Sequence, residues 1–259
     1  MTVAGDRWRD ALRAWAIPEP IRAAAPEDPF GFCAALFEPD RQAPAALSTA
    51  RAQEALSVGG TVLDVGCGGG AAGLALVPPA GAVTGVDPDP AMVALFDRGC
   101  AQRAIAGRAV LGRWPDVADA VVPHDVVVSH HVVYNVAAIE AFLLALTAHA
   151  RHRVVLEVTR RHPQAELNEL WWHFHRVRRP TAPGVSDLVA VLGGLDIEAQ
   201  VEPAERPAPA VTQPREALVS FTRRRLCLPP SADDEVDRLL PADHRIPPPR
   251  VACVWWAGR

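Results

Sequence analysis

Apolar positions along the chain fall into two alternating rhythms. Short valine-rich runs bounded by turn residues stand at 61–65 (TVLDV), 82–86 (AVTGV), 109–111 (AVL), 125–129 (DVVVS) and 153–158 (RVVLEV). Runs that stay apolar on consecutive positions predict strands buried on both faces of a parallel sheet. Between them, 70–77, 90–104 and 138–150 carry helical spacing. Such alternation predicts an α/β, doubly wound sheet with right-handed crossovers. Past residue 158 the rhythm breaks into a stretch dense in Trp, His and Arg at 162–180. A helix (186–193), a strand (197–202), the proline-rich connector PAERPAPAVTQP, helices near 213–227 and 232–240, and a last strand, RVACVWW, follow. Before the core, 5–16 places Trp8, Ala11, Leu12 and Trp15 on one helical face, and a helix near 48–57 leads into the first strand. The expected division is an N-terminal helical cap segment, 1–57, and a core domain, 58–259, with a cap insertion at about 160–182 and helices at about 213–240.

Composition narrows the classes. The 259 residues are 49% hydrophobic, enough for one large core, and the net charge of −4 gives no general attraction to polyanions. No apolar run approaches the ~20 residues of a spanning helix, so no membrane is expected as partner. The opening stretch MTVAGDRWRDALRAW has Asp6 and Asp10 where a signal peptide needs an apolar core. The five cysteines, Cys33, Cys67, Cys100, Cys227 and Cys253, include no C-x-x-C and suit reduced thiols, so a cytoplasmic location is expected. All 26 basic residues are arginine. Without lysine, neither a P-loop nor a pyridoxal phosphate Schiff base can form.

The chemistry starts at VLDVGCGGGAAG, Val62 to Gly73. Two patterns fit the run. Gly68 to Gly73 match G-x-G-x-x-G, the dinucleotide fingerprint, which places a pyrophosphate at a helix N-terminus. Asp64 to Gly70 match an acid followed by G-x-G-x-G. An acid at the end of the strand suits a ligand with a free ammonium, because a carboxylate there would repel phosphate. A second acid, Asp87 in VTGVDPDPAM, ends the next strand and can accept from both hydroxyls of a ribose.

With acid, glycines, second acid and a polar turn after the fourth strand in register, the chain resembles the class I S-adenosylmethionine-dependent methyltransferases over roughly residues 48–202. The resemblance implies a Rossmann-like seven-stranded sheet with an antiparallel last strand and a helical cap. It implies S-adenosylmethionine as cofactor and S-adenosylhomocysteine as product. Asp64, Gly66 and Gly68 would face the methionine part and Asp87, with Pro88 beside it, the ribose. Met92 would pack near the adenine, and Ser129 would border the cofactor. One departure stands out: where many members carry an acid after the third strand, this chain has Arg113 and Trp114, with Asp116 later. Trp114 would then cover the adenine by stacking, or Asp116 would reach its edge.

In the family, the turn after the fourth strand lies beside the methyl group, and here it reads SHHVVYN. His131 is the expected proton acceptor, with His130 as the alternative, because histidine titrates in the right range. Tyr134 and Asn135 would orient the acceptor. Side chains alternate at a strand end, so His130 and His131 should diverge. Leu167, Leu170, Trp171 and Phe174 share a helix face in the stretch after the fifth strand. Trp171, Trp172 and His175 are expected to close the acceptor pocket with Trp8 or Trp15. His173 and His175 do not share a helix face, and no ligand spacing joins them to His130, His131 or Glu157, so no metal is expected. The basic runs RVRRP and FTRRRL are short and isolated, and are expected to be solvated helix ends rather than a nucleic-acid surface. The expected partner is a small-molecule acceptor; the alternatives are an RNA or protein methyltransferase of the same fold, or a nucleotide-binding Rossmann protein without catalysis. The sequence is silent on oligomeric state and on which atom is methylated.

Overall fold

The computed structural model describes residues 2–31, 46–205, 214–241 and 250–259. Cys33 and most of the proline-rich connector lie outside the described residues. Seven strands form one sheet: β1 (Thr61–Val65), β2 (Ala82–Asp87), β3 (Ala106–Leu111), β4 (His124–His130), β5 (Ala150–Thr159), β6 (Gln200–Glu205) and β7 (Arg250–Ala257). Their order is β3-β2-β1-β4-β5-β7-β6. The strands run parallel except β7, which is antiparallel to both β5 and β6. The doubly wound seven-stranded fold with an antiparallel last strand is therefore present. The order reverses between β1 and β4, which opens a crevice beyond their carboxyl ends.

The consecutive apolar residues of the central strands feed two separate layers. Leu63, Val127 and Leu156 face one side, with Phe142, Leu143 and Leu146 of α5 (Ile139–His149) and Leu188, Val191 and Leu192 of α7 (Val185–Gly194). Val62, Val126, Val128 and Val155 face the other, with Phe96 and Cys100 of α4 (Pro90–Gln102). Each fully buried Val, Leu or Phe contributes roughly 1.5–3 kcal/mol, so neither layer is dispensable. Helix α4 begins cleanly because the Asp89 carboxylate accepts the Ala91 N–H at 2.8 Å and Pro90 occupies its first turn.

Three expectations need correction. No α-helix follows the glycine run; Leu74–Leu76 form only a turn of 3-10 helix. Gly68, Gly69, Gly70 and Gly73 weaken helix formation, and Pro78 and Pro79 forbid its continuation. Second, the N-terminal helices do not form a cap of their own. Helix α1 (Val3–Arg13) packs on α5 and α7, and α3 (Leu47–Gln53) packs on β5 and β7. Trp15 lies beyond the end of α1 rather than on its face. The third apolar cluster is instead built by Trp171 of α6 (Asn168–His175), Leu218 and Val219 of α8 (Arg215–Arg225) and Val236 of α9 (Asp233–Leu239), with Ile21 of α2 (Glu19–Ala23) against it. Third, the run FTRRRL is not solvated. Arg223 pairs with Glu27 and Asp233 at 2.7 Å each, while Arg224 and Arg225 donate to the carbonyls of Gly31 and Pro29. Among the described residues, no helix is long and apolar enough to cross a membrane.

Candidate functional site

The chain leaves β1 through three glycines in the left-handed region, with φ of +70° at Gly66, +50° at Gly68 and +91° at Gly70. Only glycine enters that region without steric cost. The turn is pinned to β2 because the N–H groups of Gly66 and Cys67 both donate to the Val86 carbonyl, at 2.7 and 3.1 Å. A Cβ on Gly66 would come within 2.3 Å of Val132 Cγ2. The turn after β1 therefore touches the turn after β4, across the switch point. A Cβ on Gly68 would meet nothing within 4 Å, so the backbone there borders open space.

Two carboxylates organise this turn. Asp64, 1% exposed, accepts the Gly73 N–H at 2.7 Å from beneath. Burial pushes its pKa up to about 7; the Gly73 bond opposes this and the charge of Asp87 adds to it. Asp87 accepts from Gly68 N at 2.9 Å and from Asp89 N at 2.9 Å. Burial raises it as well, against those two bonds. Among the described residues neither carboxylate makes an ion pair. Two neighbouring carboxylates in a partly desolvated crevice favour a cationic ligand and disfavour a diphosphate. The turn also lacks the helix N-terminus that a pyrophosphate would need.

The polar residues after β4 take different places. Ser129 donates to the Val65 carbonyl at 2.8 Å and so ties β4 to the end of β1. His130 is the last residue of β4, opposite Glu157 of β5. His131 has φ of +61°, an uncommon conformation for a residue with a Cβ. Its N–H donates to the Glu157 carbonyl at 2.9 Å, and its Nε2 lies 3.0 Å from Glu157 Oε1. The other Glu157 oxygen accepts from Ser48 Oγ at 2.8 Å. Burial drives the Glu157 carboxyl upward, but the His131 hydrogen bond and the charges of His130 and His131 outweigh it and hold the group well below the usual carboxylate range. Tyr134 is buried, donates to the Thr159 carbonyl at 2.9 Å and accepts from Thr159 Oγ1 at 2.7 Å. Burial pushes its hydroxyl up to about 12, which suits a fixed strut rather than a proton acceptor. Asn135 is exposed.

The aromatic residues do not gather as expected. Trp171 is 1% exposed and lies inside the third apolar cluster, so it is core rather than an open wall. Trp172, the next residue, is 39% exposed, because adjacent helix positions face different ways, and Arg178 lies over its ring at 4.7 Å. His175 is spent on the Leu226 carbonyl at 2.6 Å. Trp8 packs in the first apolar layer and donates to the Val136 carbonyl at 2.9 Å. Trp15 does reach this end of the sheet, stacking on His162 at 3.9 Å, with Tyr134 edge-on to the same imidazole at 5.3 Å. Burial, with the Arg179 charge nearby, lowers His162 to about 4, so the ring is held neutral.

The adenine side also departs from expectation. Trp114 is turned into the core, edge-on to His149 at 4.8 Å, so it is not free to stack on a ligand. Arg113, Pro88 and Asp116 are exposed, whereas Met92 is buried in the first turn of α4. Neither the link of Ser48 and Glu157 to His131 nor the stacking of His162 on Trp15 is expected from the sequence, where Glu157 enters only beside the histidines weighed as metal ligands. Glu157 left one signal, a lone acid inside the apolar strand RVVLEV; Ser48 left none. No group of three or more His, Cys, Asp or Glu that could hold a metal is found among the described residues.

A family model described as a methyltransferase domain matches residues 37–186. No curated protein matches the chain. Among solved structures, the YcgJ protein from Bacillus subtilis superimposes with a TM-score of 0.51 at 16% identity, over 82% of this chain and 98% of that one. The plantazolicin methyltransferase BpumL gives 0.49 at 12% identity, over 98% and 96%. The magnesium protoporphyrin IX methyltransferase ChlM from Synechocystis PCC 6803 gives 0.48 at 16% identity, over 78% and 75%. The first of these likenesses shows the fold.

Proposed function

The chain belongs to the methyltransferase-domain family, and from that premise we propose that it transfers a methyl group from S-adenosylmethionine to a small-molecule acceptor, releasing S-adenosylhomocysteine. The observation that carries the cofactor assignment is the pair Asp64 and Asp87, both raised by burial beside a glycine turn that borders open space at Gly68. A cationic, hydroxyl-bearing ligand relieves both carboxylates. A dinucleotide would add negative charge to them.

S-adenosylmethionine supplies an electrophilic methyl group on a sulfonium. The Gly66–Gly70 backbone and Asp64 would hold its amino-acid end, Asp87 its ribose, and Met92 its base. Ser129 keeps the crevice in shape by joining β4 to β1. On the acceptor side, His131 is the proton acceptor. Its Nε2 is committed to a carboxylate, which leaves Nδ1 with the lone pair. Histidine assistance of this kind contributes typically 10²–10⁴-fold, and the larger share of the rate comes from holding the acceptor in line. Trp15, His162 and Tyr134 brace the rim on which the acceptor would rest.

A small-molecule acceptor is supported by charge. The net charge is −4, and the run Arg223 to Arg225 is spent on Glu27, Asp233 and backbone carbonyls rather than offered to phosphates.

The test has two stages. Calorimetry should show binding of S-adenosylmethionine and S-adenosylhomocysteine, and NAD binding instead would overturn the cofactor assignment. Incubation with methyl-labelled S-adenosylmethionine and fractionated cell extract should then label the small-molecule fraction. Label confined to RNA or protein would overturn the acceptor class.

A further inference from the structure

We propose that Ser48 and Glu157 are positioning residues for His131, forming a buried chain Ser48–Glu157–His131 that selects the imidazole tautomer with its lone pair on Nδ1. The inference rests on the reading of His131 as the proton acceptor.

The geometry is specific. Glu157 divides its two oxygens between two elements: Oε1 faces His131 Nε2 at 3.0 Å, and Oε2 accepts from Ser48 Oγ at 2.8 Å. Both Ser48 and Glu157 are buried. Glu157 sits on the β5 face that carries Val155, among apolar residues where a carboxylate is expensive to keep. A buried ionic contact is weak evidence for stability, since a well-packed apolar residue would serve the fold as well or better. Its presence here calls for another explanation.

The backbone supplies a second observation. His131 is held at φ of +61°, a strained value, by the bond from its own N–H to the Glu157 carbonyl. One residue thus fixes both the main chain and the ring of His131. Strain that the surroundings over-determine is a mark of functional positions. With Oε2 taken by the Ser48 hydroxyl, the Glu157 carboxylate offers Oε1 to Nε2 as an acceptor, so in the neutral ring Nε2 carries the proton. Nδ1 is then the basic nitrogen.

In the transfer step, the proton on the attacked acceptor atom moves to His131 Nδ1. The pair freed at that atom forms the bond to the methyl carbon, and the pair of the carbon–sulfur bond returns to sulfur. The imidazolium so formed faces the Glu157 carboxylate, which offsets its charge. Ser48 prevents that carboxylate from rotating away. Because Ser48 lies in the first turn of α3, the chain also couples the N-terminal segment to the reaction centre.

Nitrogen-15 NMR of the full-length protein labelled in histidine tests the chain without any acceptor. The wild type should show His131 as the Nε2–H tautomer, and Glu157→Gln should shift it to a mixture. The affinity for S-adenosylhomocysteine should stay within about twofold, while label incorporation into the small-molecule fraction falls by about 10- to 100-fold. Ser48→Ala should give a smaller change in the same directions, and Glu157→Asp a partial rescue. A wild-type His131 in the Nδ1–H form, or a tautomer unmoved in Glu157→Gln, overturns the proposal. If Glu157→Gln does not fold, Ser48→Ala decides by the same readouts. Failure of the methyltransferase reading is separate: the wild type would then neither bind S-adenosylhomocysteine nor incorporate label, whatever the tautomer.

Discussion

His131 and Glu157 are joined twice, through the His131 N–H to the Glu157 carbonyl at 2.9 Å and through the two side chains at 3.0 Å. The double link bridges the turn after β4 to the neighbouring strand β5. The same turn presses Val132 against Gly66. His131, the glycine turn and the two acids that shape it are thereby placed on one edge of the sheet.

The acids give the first prediction. Asp64→Ala and Asp87→Ala should each weaken S-adenosylmethionine and S-adenosylhomocysteine binding about tenfold or more, the loss expected for a charge-assisted contact. Asp87→Ala should also loosen the turn, because Gly68 and Asp89 lose their acceptor. Calorimetry on the two variants checks the affinities, and wild-type values would remove both residues from the site.

Proton linkage gives the second. Asp64 titrates at about 7 in the fold against an ordinary 3.8. A raised folded value means that this group's contribution to stability is full below about 4 and is lost as pH rises through 7. A cationic ligand favours the ionised form, so affinity should rise between pH 6 and 8 with release of a proton. Titrations in buffers of different ionisation enthalpy read that proton directly. Asp64→Asn should abolish the release.

The third prediction contrasts two glycines. Gly66→Ala places a methyl group 2.3 Å from Val132 at a φ of +70°, and should cost about 2–4 kcal/mol of stability from overpacking and backbone strain. Gly68→Ala meets no atom within 4 Å and should cost only about 1–2 kcal/mol for its positive φ. Its methyl group enters the ligand's space, however, so cofactor affinity should fall while the fold persists. Thermal melts paired with calorimetry separate the two; similar behaviour in both variants would contradict the assignment of open space to the cofactor.

His162 supplies the fourth. Burial lowers it from 6.5 to about 4, so the unfolded chain binds more protons than the fold between those values. The contribution of His162 should therefore drop as pH falls through that window, by about 2–3 kcal/mol, while that of Asp64 runs the other way. Glu157, held below its ordinary 4.5, begins to lose its own contribution at about pH 5 and adds to the drop at the acid end of the range. In denaturant melts between pH 4 and 7, the stability of the wild type relative to His162→Gln should fall as pH falls. An unchanged slope would show that His162 titrates normally.

The sequence by itself determined the sheet. Val62, Val83, Val126 and Val155 lie in runs apolar on consecutive positions, and such runs can only be satisfied between two layers. Asp64, the glycines and Asp87 were equally legible, since a left-handed turn between two acids leaves a local pattern. Tertiary structure decided what local pattern cannot carry. Trp15 and Trp171 read alike as pocket aromatics, yet one stacks on His162 and the other fills a core with α8 and α9. The arginines of FTRRRL looked solvated because Glu27, almost two hundred positions away, supplies a partner only after folding. Trp114 stood at the adenine position by count alone, and its ring turned to His149 instead. The partner of His131 was hidden for the same reason: Ser48, Glu157 and His131 are 109 and 26 residues apart, and only the β4–β5 pairing and the docking of α3 bring their polar atoms within hydrogen-bond reach.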